Sequence, residues 1–284
     1  MRVLVTGAEG QLGLDIAKLF KSRHEVQGLS RKMLDVTDDA QCFAVIGDWK
    51  PDVIIHCAAY TSVDLAETNE DIAYKVNAMG SRNIAVAAEK VGAKICYIST
   101  DYVFDGTSNT PYREHDMLNP QNIYGKSKRA GEELVQSLSS RYFIVRTSWL
   151  YGLHGANFVK TIIKLARERD GLKIVNDQTG SPTYTVDLTL FLEQLIKTEK
   201  YGIYHASNSG SCSWFELASA VFEELGNSII LEPCLTKDFP RPAYRPSYSV
   251  LEHMAIRTNG FDDLRPWREG LQSFFKGVGR VLTR

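Results

Sequence analysis

Short apolar runs alternate with longer amphipathic stretches through the first half of the chain. An apolar run at 3–5 is followed by a glycine-rich turn and by an amphipathic stretch over 12–21, and the pattern predicts a second strand at 25–29. Further apolar, β-branched runs predict strands at 52–57, 94–99, 142–147 and 173–175, with a helix over 71–91 between two of them. Strands separated by helices are typical of right-handed βαβ units. We therefore predict an α/β fold with a doubly wound, Rossmann-like parallel sheet.

The alternation weakens beyond residue 207. One helix is predicted over 213–225, and a loop-rich stretch follows that contains Pro233, Pro240, Pro242 and Pro246. We predict a smaller, loop-rich C-terminal lobe over the carboxyl edge of the sheet, where open α/β sheets bind ligands. The expected domains are a dinucleotide-binding domain (1–150, joined again by 173–206) and a substrate-binding lobe (151–172 and 207–284).

Composition narrows the possible functions of the 284-residue chain. A net charge of -1 argues against nucleic-acid binding, and no apolar run approaches the roughly 20 residues that span a membrane. The chain begins directly with a predicted strand, which leaves no room for a signal peptide. The five cysteines (Cys42, Cys57, Cys96, Cys212 and Cys234) form no C-x-x-C pair, which indicates reduced thiols. We expect a cytoplasmic protein that binds neither nucleic acid nor membrane.

Gly7, Gly10 and Gly13 are spaced by threes between the first strand and the first helix. Glycine allows a tight turn and close approach of the backbone to a pyrophosphate, which would lie at the helix N-terminus. The spacing is not G-x-G-x-x-G but the T-G-x-x-G-x-x-G form of short-chain dehydrogenase/reductases. The alternative interpretation is a turn that is rich in glycine for geometry alone.

The residues after the second strand bear on the choice of cofactor. An NAD site usually carries an acidic residue here, for the ribose 2′-hydroxyl. This chain has Ser30 and Arg31, which suit a 2′-phosphate, so we predict NADPH with NADH tolerated. Asp35 and Val36 are expected to contact the adenine. The alternative interpretation of the basic pair at 31–32 is a solvated turn.

Tyr124 and Lys128 are four residues apart in a run with a helical pattern. Residues i and i+4 share a helix face, so both side chains are expected to point into one pocket. A free tyrosine has a pKa of about 10. We expect the Lys128 ammonium and an oxidised nicotinamide to lower the pKa of Tyr124, and Lys128 to bind the nicotinamide ribose. Thr100, at the carboxyl end of a strand, completes a carbonyl-reducing triad; the alternative is a surface Tyr/Lys pair.

At these residues the chain resembles the extended short-chain dehydrogenase/reductases and, more narrowly, the dTDP-4-dehydrorhamnose reductase family. The resemblance covers nearly the whole chain, and its most family-specific run is Asp-Tyr-Val-Phe-Asp-Gly at 101–106. Other matching runs are 7–13, 34–38, 58–67, 124–128, 146–152, 157–160, 177–183 and 245–249. The resemblance implies NADPH-dependent reduction of the C4 ketone of dTDP-4-dehydro-L-rhamnose to dTDP-L-rhamnose, with Tyr124 as proton donor.

The resemblance also assigns residues to each ligand. For the cofactor it implies Gly7, Gly10, Gln11, Leu12, Asp35, Val36, Ala58, Ala59, Tyr60, Asn77 and Ser99, besides Tyr124 and Lys128. For the deoxysugar it implies Val63, Asp64, Thr100, Asp101, Tyr102 and Trp149. For the thymidine diphosphate it implies Asn157, Phe158 and Lys160. The alternative interpretation of Trp149 and Phe158 is core packing.

The sequence also bears on a metal site and on related functions. Some members of the family are dimers that bind magnesium through interface glutamates; this chain has Asp15 at the first such position and no full set, so we predict no metal. Sugar-nucleotide dehydratases have Asp-Glu after the strand-end hydroxyl, whereas Asp101 is followed by Tyr102. A nucleotide-sugar epimerase and a regulatory subunit similar to that of methionine adenosyltransferase stay as alternatives. The expected assembly is a monomer or homodimer.

Overall fold

The computed structural model describes residues 1–226 and 229–278 of the chain. The strands are, in chain order, β1 (Arg2–Thr6), β2 (Glu25–Leu29), β3 (Val53–His56), β4 (Lys94–Thr100), β5 (Tyr142–Thr147), β6 (Leu150–Tyr151), β7 (Gly171–Val175), β8 (Thr179–Gly180), β9 (Thr183–Tyr184), β10 (Gly202–His205), β11 (Cys212–Ser213) and β12 (Ile230–Cys234). Within the described residues, six of these strands form one parallel sheet in the order β10-β5-β4-β3-β1-β2. The predicted α/β fold with a parallel central sheet is confirmed.

Helices cover both faces of this sheet. In chain order they are α1 (Gln11–Phe20), α2 (Asp39–Trp49), α3 (Val63–Ala66), α4 (Glu70–Tyr74), α5 (Gly80–Val91), α6 (Ile123–Leu138), α7 (Phe158–Leu165), α8 (Thr185–Ile196), α9 (Trp214–Leu225), α10 (Met254–Thr258) and α11 (Trp267–Val278). Side chains of α1 and α8 belong to one buried cluster with the sheet, and those of α2, α5 and α6 belong to another. The fold is therefore doubly wound. No helix in the described ranges combines the length and apolar character that a membrane crossing requires.

Successive residues of the strands pack into cores on opposite faces of the sheet. Val3 and Val5 are buried on the α1/α8 side, whereas Leu4, between them, is buried on the α2/α5/α6 side. Side chains alternate across a strand, so a sheet covered on both faces needs apolar residues at nearly every position. That requirement explains why the strands of this sheet appear in the sequence as continuous apolar runs.

A third core lies outside the main sheet and is built by α7, α9 and α11 with β7. The strand predicted at 173–175 exists, but it pairs with β12 in a separate two-stranded sheet, so its expected place in the main sheet is wrong. The segment of 173–206 that does return to the main sheet is α8 with β10. The bounds of the two predicted domains stay a prediction, and residues 227–228 and 279–284 of the predicted lobe lie outside the described residues.

The helix predicted over 71–91 is interrupted. α4 passes into a wider π-helical segment, Lys75–Met79, before α5 begins at Gly80. Such a segment inserts an extra residue into the turn and often marks a functional site. Here it places Asn77, whose side chain is completely buried, against the loop that follows β3.

The sheet order determines where a ligand can bind. The chain leaves β1 towards β2 on one side, and returns through α2 to β3 on the other side of β1. Ligands of open α/β sheets bind beyond the carboxyl ends of strands at such a switch point. The glycine turn that follows β1 and the loop 57–60 that follows β3 lie at this point.

Candidate active site

A cavity of about 670 Å³ lies beyond the carboxyl ends of the strands. The predicted site residues that line it are Gly7, Gly10, Gln11, Leu12, Ser30, Arg31, Asp35, Val36, Ala58, Ala59, Tyr60, Ser99, Thr100, Asp101, Tyr124, Lys128 and Trp149. Asn77, Val63, Asp64, Tyr102 and Asn157 are not part of this lining. The structure thus gathers the glycine turn and the Thr/Tyr/Lys triad around a single space.

The glycine turn has no room for side chains. Gly7 has a φ of +64°, and a Cβ there would lie 2.8 Å from the backbone of Ala58. A Cβ on Gly13 would overlap the carbonyl oxygen of Gly7. Gly10 precedes the first turn of α1, where no side chain caps the free backbone N–H groups. These N–H groups and the positive end of the helix suit a pyrophosphate.

Gln11 reaches away from the turn to a distant loop. Its Nε2 donates to the carbonyl of Leu150 at 3.0 Å, and its Oε1 accepts from Asn157 Nδ2 at 2.8 Å. Asn157 also donates to the carbonyl of Gly152 and caps α7 through the N–H of Lys160. The amide of Gln11 therefore holds the 150–157 loop over the glycine turn, so contact with a phosphate falls to its backbone.

Ser30 and Arg31 border the far end of the cavity. Ser30 is buried, whereas the Arg31 side chain is 84% exposed and lies 3.9 Å from Asp35. Hydrogen bonds from the backbone N–H and hydroxyl of Thr37 lower the pKa of Asp35, although its burial opposes them. The Arg31 guanidinium is thus weakly held and free to turn towards an anion.

Asn77 supports the loop after β3 from beneath. Its Oδ1 accepts from the backbone N–H of Tyr60 at 2.7 Å, and its Nδ2 donates to the Tyr60 carbonyl at 3.1 Å and to Ser127 Oγ at 2.9 Å. Ser127 lies on α6, next to Lys128. One buried amide therefore joins the cavity wall at Tyr60 to the helix that carries Tyr124 and Lys128.

Tyr124 lies in the first turn of α6, whose N-terminus is capped by Asn122. Burial raises the pKa of Tyr124 to about 12; a hydrogen bond with Thr100 opposes this, and the nearby Asp101 carboxylate adds to it. The pKa of Tyr124 in this structure is thus raised rather than lowered, and the lowering by Lys128 together with an oxidised nicotinamide stays a prediction for the cofactor-bound protein. The phenol keeps its proton at neutral pH.

The ammonium of Lys128 is directed at the sheet. Its Nζ donates to the carbonyl of Ile98 at 2.7 Å and lies 3.9 Å from the centre of the Tyr97 ring. Burial lowers the pKa of Lys128 to about 7, and the negative charge of Glu132 opposes this effect. The pKa of Lys128 therefore lies near neutral pH. Although its side chain is buried, Lys128 borders the same cavity as Tyr124.

Asp101 and Tyr102 follow Thr100 in a short 3-10 turn. The Thr100 hydroxyl donates to Asp101 Oδ1 at 2.9 Å, and burial raises the pKa of Asp101 to about 6. The Tyr102 ring meets the Tyr124 ring edge-on at 5.9 Å between centroids. Tyr102 thus contacts the proposed proton donor from outside the cavity lining.

Asp64 forms an ion pair with the C-terminal loop. Arg245 Nη2 donates to Asp64 Oδ1 at 2.9 Å, and the guanidinium carbon of Arg245 lies 6.0 Å from the centre of the Tyr102 ring. Val63 begins α3 beside Asp64 and is partly buried. The sequence pattern did not single out Arg245 as a site residue, although it belongs to the 245–249 run that resembles the family.

Trp149 both lines the cavity and packs. Its φ of +45° lies in the left-handed region, which is costly for a large side chain. Its ring stacks on Trp214 at 3.5 Å with 6° between the planes, and Phe158 lies 4.5 Å from Trp214. Lys160, on the same helix as Phe158, donates from Nζ to the carbonyls of Leu153 and Gly155.

Several lining residues were not predicted. They are Glu9, Leu34, Cys57, Thr61, Val76, Ile98, Thr147, Ser148, Leu150 and Ala156. Cys57 follows β3, Thr147 ends β5 and Ser148 follows it, so the rule that ligands bind beyond carboxyl ends of parallel strands is the signal that identifies these three. Burial raises the pKa of the Cys57 thiol to about 12, which makes it a poor nucleophile at neutral pH.

Asp15 is buried on α1 and has protein partners. It accepts a hydrogen bond from the Thr185 hydroxyl, and His154 lies 3.7 Å away. Across residues 1–226 and 229–278, no three His, Cys, Asp or Glu side chains gather closely enough to hold a metal ion.

The chain is similar to proteins of one family along nearly its whole length. The family model described as RmlD substrate binding domain matches residues 1–279. The spore coat polysaccharide biosynthesis protein SpsK of Bacillus subtilis is 45% identical over 278 residues, 97% of each chain. The dTDP-4-dehydrorhamnose reductase of Aggregatibacter actinomycetemcomitans is 42% identical over 286 residues, 96% of this chain and 97% of its own.

A solved structure is similar to the same extent. The crystal structure of dTDP-4-dehydrorhamnose reductase from Bacillus anthracis, in complex with NADP, has a TM-score of 0.96 and 49% sequence identity. The match covers 97% of this chain and 99% of that one. The resemblance found in the sequence motifs is confirmed.

Proposed function

The chain belongs to the RmlD substrate binding domain family, and on that premise we propose that it is an NADPH-dependent reductase of the C4 ketone of dTDP-4-dehydro-L-rhamnose, forming dTDP-L-rhamnose. The observation that carries the proposal is the convergence of Thr100, Tyr124 and Lys128 on the cavity that the glycine turn borders. The full-length similarity to enzymes named dTDP-4-dehydrorhamnose reductase supports this choice of substrate.

The residues present fit a dinucleotide. A Cβ at Gly7 or Gly13 would overlap neighbouring backbone atoms, so only glycine fits at these two positions. The turn without side chains there allows its backbone to approach a pyrophosphate closely. The N–H groups of Gln11 and Leu12 would hold the pyrophosphate, and Gly10, whose own N–H donates to the Gly7 carbonyl at 2.9 Å, would contact it through its backbone. The adenosine would lie against Asp35 and Val36, with Ser30 and Arg31 at the 2′-phosphate, and Ala58, Ala59, Tyr60 and Ser99 along the remaining cleft. When bound, the dihydronicotinamide supplies the hydride.

The triad supplies the proton and orients the carbonyl. Thr100 and Tyr124 both border the cavity, and their hydroxyls would bind the same carbonyl oxygen. Because burial keeps the phenol of Tyr124 protonated, it can donate that proton to the C4 oxygen as the alkoxide forms. Lys128 would then favour the resulting phenolate through its positive charge.

The remaining predicted contacts belong to the sugar nucleotide. Asp101 and Trp149 border the cavity and are proposed to bind the deoxysugar directly, with Val63, Asp64 and Tyr102 close by. For the thymidine diphosphate we propose the segment of Asn157, Phe158 and Lys160. The side-chain amide of Asn157 and the ammonium of Lys160 already have protein partners. The contribution of Phe158 would therefore come mainly from its aromatic ring. We expect a cytoplasmic monomer or homodimer.

The direct test follows NADPH absorbance with dTDP-4-dehydro-L-rhamnose, comparing the wild-type enzyme with Tyr124→Phe. Loss of the proton donor should cost on the order of 10²–10⁴ in turnover, with NADPH binding retained. Tyr142→Phe, at the start of β5, is the matched control and should turn over normally. Equal rates for Tyr124→Phe and wild type would contradict the proposed role of Tyr124 as proton donor. A wild-type protein that binds NADPH without reducing the sugar would favour a regulatory role.

A further inference from the structure

A buried ion pair lies outside the cavity lining, one helix turn beyond Lys128 on α6. Arg146 Nη2 and Glu132 Oε2 are 2.7 Å apart, and each side chain is only 1% exposed. A second oxygen of Glu132 accepts from the Ser99 hydroxyl at 2.5 Å and from Arg146 Nε at 3.0 Å. Removing two charges from water is costly, so a pair buried this completely calls for a role beyond stability.

The position of Glu132 indicates that role. Tyr124, Lys128 and Glu132 are successive i, i+4 residues of α6 and therefore follow one face of the helix. On the neighbouring strand β4, Lys128 binds the carbonyl of Ile98 and Glu132 binds the hydroxyl of Ser99, which are consecutive residues. The ammonium and the carboxylate are thus anchored at consecutive residues of one strand, and the negative charge of Glu132 raises the pKa of Lys128.

The other groups around Lys128 carry no compensating negative charge. Tyr97 faces it from β4, with burial raising the pKa of its phenol. His56 and Cys57 face it from the end of β3: burial lowers the pKa of His56 to about 3 and raises that of Cys57 to about 12, so both are neutral. Tyr124 is also protonated. Arg146 faces Glu132 from β5 and is not among the groups that shift the pKa of Lys128.

We propose that Glu132 is a positioning residue for the reaction: its carboxylate, fixed by Arg146 and Ser99, keeps the buried Lys128 ammonium charged beside Tyr124. The inference rests on the proposed function, since Lys128 must be cationic to favour the Tyr124 phenolate. Without Glu132, burial of Lys128 is opposed by no full negative charge among the groups that face it. Lys128 then loses its proton at a lower pH.

The test measures the titration of Lys128 itself. Protein labelled with ¹³C at the lysine ε-carbon is titrated by NMR, and the Lys128 signal is assigned by its loss in Lys128→Arg. In Glu132→Gln the midpoint should fall by about one pH unit or more. Glu133→Gln is the matched control: this neighbour on α6 is largely exposed and pairs with Arg129 at the surface. Its midpoint should equal that of wild type.

A second variant distinguishes an effect on Lys128 from misfolding of Glu132→Gln. Glu132→Gln leaves the charge of Arg146 buried without a carboxylate, whereas Glu132→Gln combined with Arg146→Met removes both charges. The double variant should show the same downward shift, and the alkaline limb of turnover should move with it. An unchanged Lys128 midpoint, or a loss of turnover that is equal at all pH values, would overturn the proposal. If wild type reduces no sugar, the proposed function fails, yet the NMR titration still decides the role of Glu132.

Discussion

Asn157 donates a hydrogen bond from its side-chain amide to Oε1 of Gln11 at 2.8 Å, joining the start of α7 to the start of α1. The same Asn157 side chain caps α7 through the N–H of Lys160 at 3.0 Å. One residue therefore connects the third core, to which α7 belongs, to the glycine turn at which the pyrophosphate is proposed to bind. The two contacts are separable by substitution, because a shorter side chain can cap a helix without reaching Gln11.

Asn157→Ala should lower the free energy of unfolding by about 1 kcal/mol, the usual cost of losing an N-cap. Asn157→Ser should recover most of that loss, because serine also caps helices. Both variants should bind NADPH more weakly, since neither holds Gln11 and the 150–157 loop over the turn. Chemical denaturation and a fluorescence titration with NADPH separate the two effects. Wild-type NADPH affinity in both variants would contradict the proposed link.

Arg31→Ala should weaken NADPH binding by about tenfold, equivalent to 1.4 kcal/mol, while leaving NADH binding unchanged. The reason is that Arg31 is largely exposed and only weakly paired, so its charge is available to a 2′-phosphate. Lys32→Ala is the neighbouring control and should have the smaller effect. The measurement is the dissociation constant of each nucleotide. An equal loss of affinity for NADPH and NADH would exclude a 2′-phosphate contact.

Asp101→Asn should stabilise the protein at neutral pH while reducing turnover. The folded-state pKa of Asp101 is about 6, above the usual 3.8, so folding favours its protonated form. That stability is present below about pH 4 and is lost as the pH rises through 6, at a cost on the order of 2–3 kcal/mol. Asparagine avoids the cost at every pH and can still accept the hydrogen bond from Thr100.

Denaturation of Asp101→Asn and wild type from pH 4 to pH 8 provides the check. The difference in the free energy of unfolding should grow between pH 4 and pH 6 and then level off. Asp48→Asn, an exposed position on α2, should leave the pH dependence as it is in wild type. A difference that does not vary with pH would show that Asp101 has no raised pKa.

Gly180→Ala should impair use of the sugar nucleotide. A Cβ on Gly180 would lie 2.5 Å from the Trp149 ring, which is also stacked on Trp214. Displacing Trp149 from the cavity wall should cost on the order of 10–100-fold in kcat/KM, while NADPH binding is kept. Near-ultraviolet circular dichroism should report the loss of the Trp149–Trp214 stack.

The matched control for this substitution is Gly47→Ala. Gly47 lies within α2, and a Cβ there meets no atom within 4 Å. Alanine is the better helix former, so this variant should be more stable by up to about 1 kcal/mol and fully active. If Gly180→Ala retained wild-type kcat/KM, the proposed contact between Trp149 and the deoxysugar would be untenable.

The apolar runs of the strands were sufficient to predict the fold class, and the spacing of three glycines predicted a turn that the structure places at the cavity. Local patterns succeed here because strand alternation and glycine turns are properties of short segments. The strand at 173–175 shows the limit of the method. Its apolar pattern is that of a strand, but the partner strand, β12, is more than fifty residues away. The residues of a single strand do not specify which sheet that strand joins.

The sequence by itself determined which chemical groups are available: the Tyr124/Lys128 spacing, Thr100 at a strand end, and the glycine turn. Only the tertiary structure decided their environments. It directs Lys128 at Ile98, raises the pKa of Tyr124 through burial, and pairs Glu132 with Arg146 one helix turn beyond Lys128. Charge and proton affinity depend on desolvation and on neighbours that are distant in sequence. These quantities are therefore settled when helix α6 packs against strands β4 and β5.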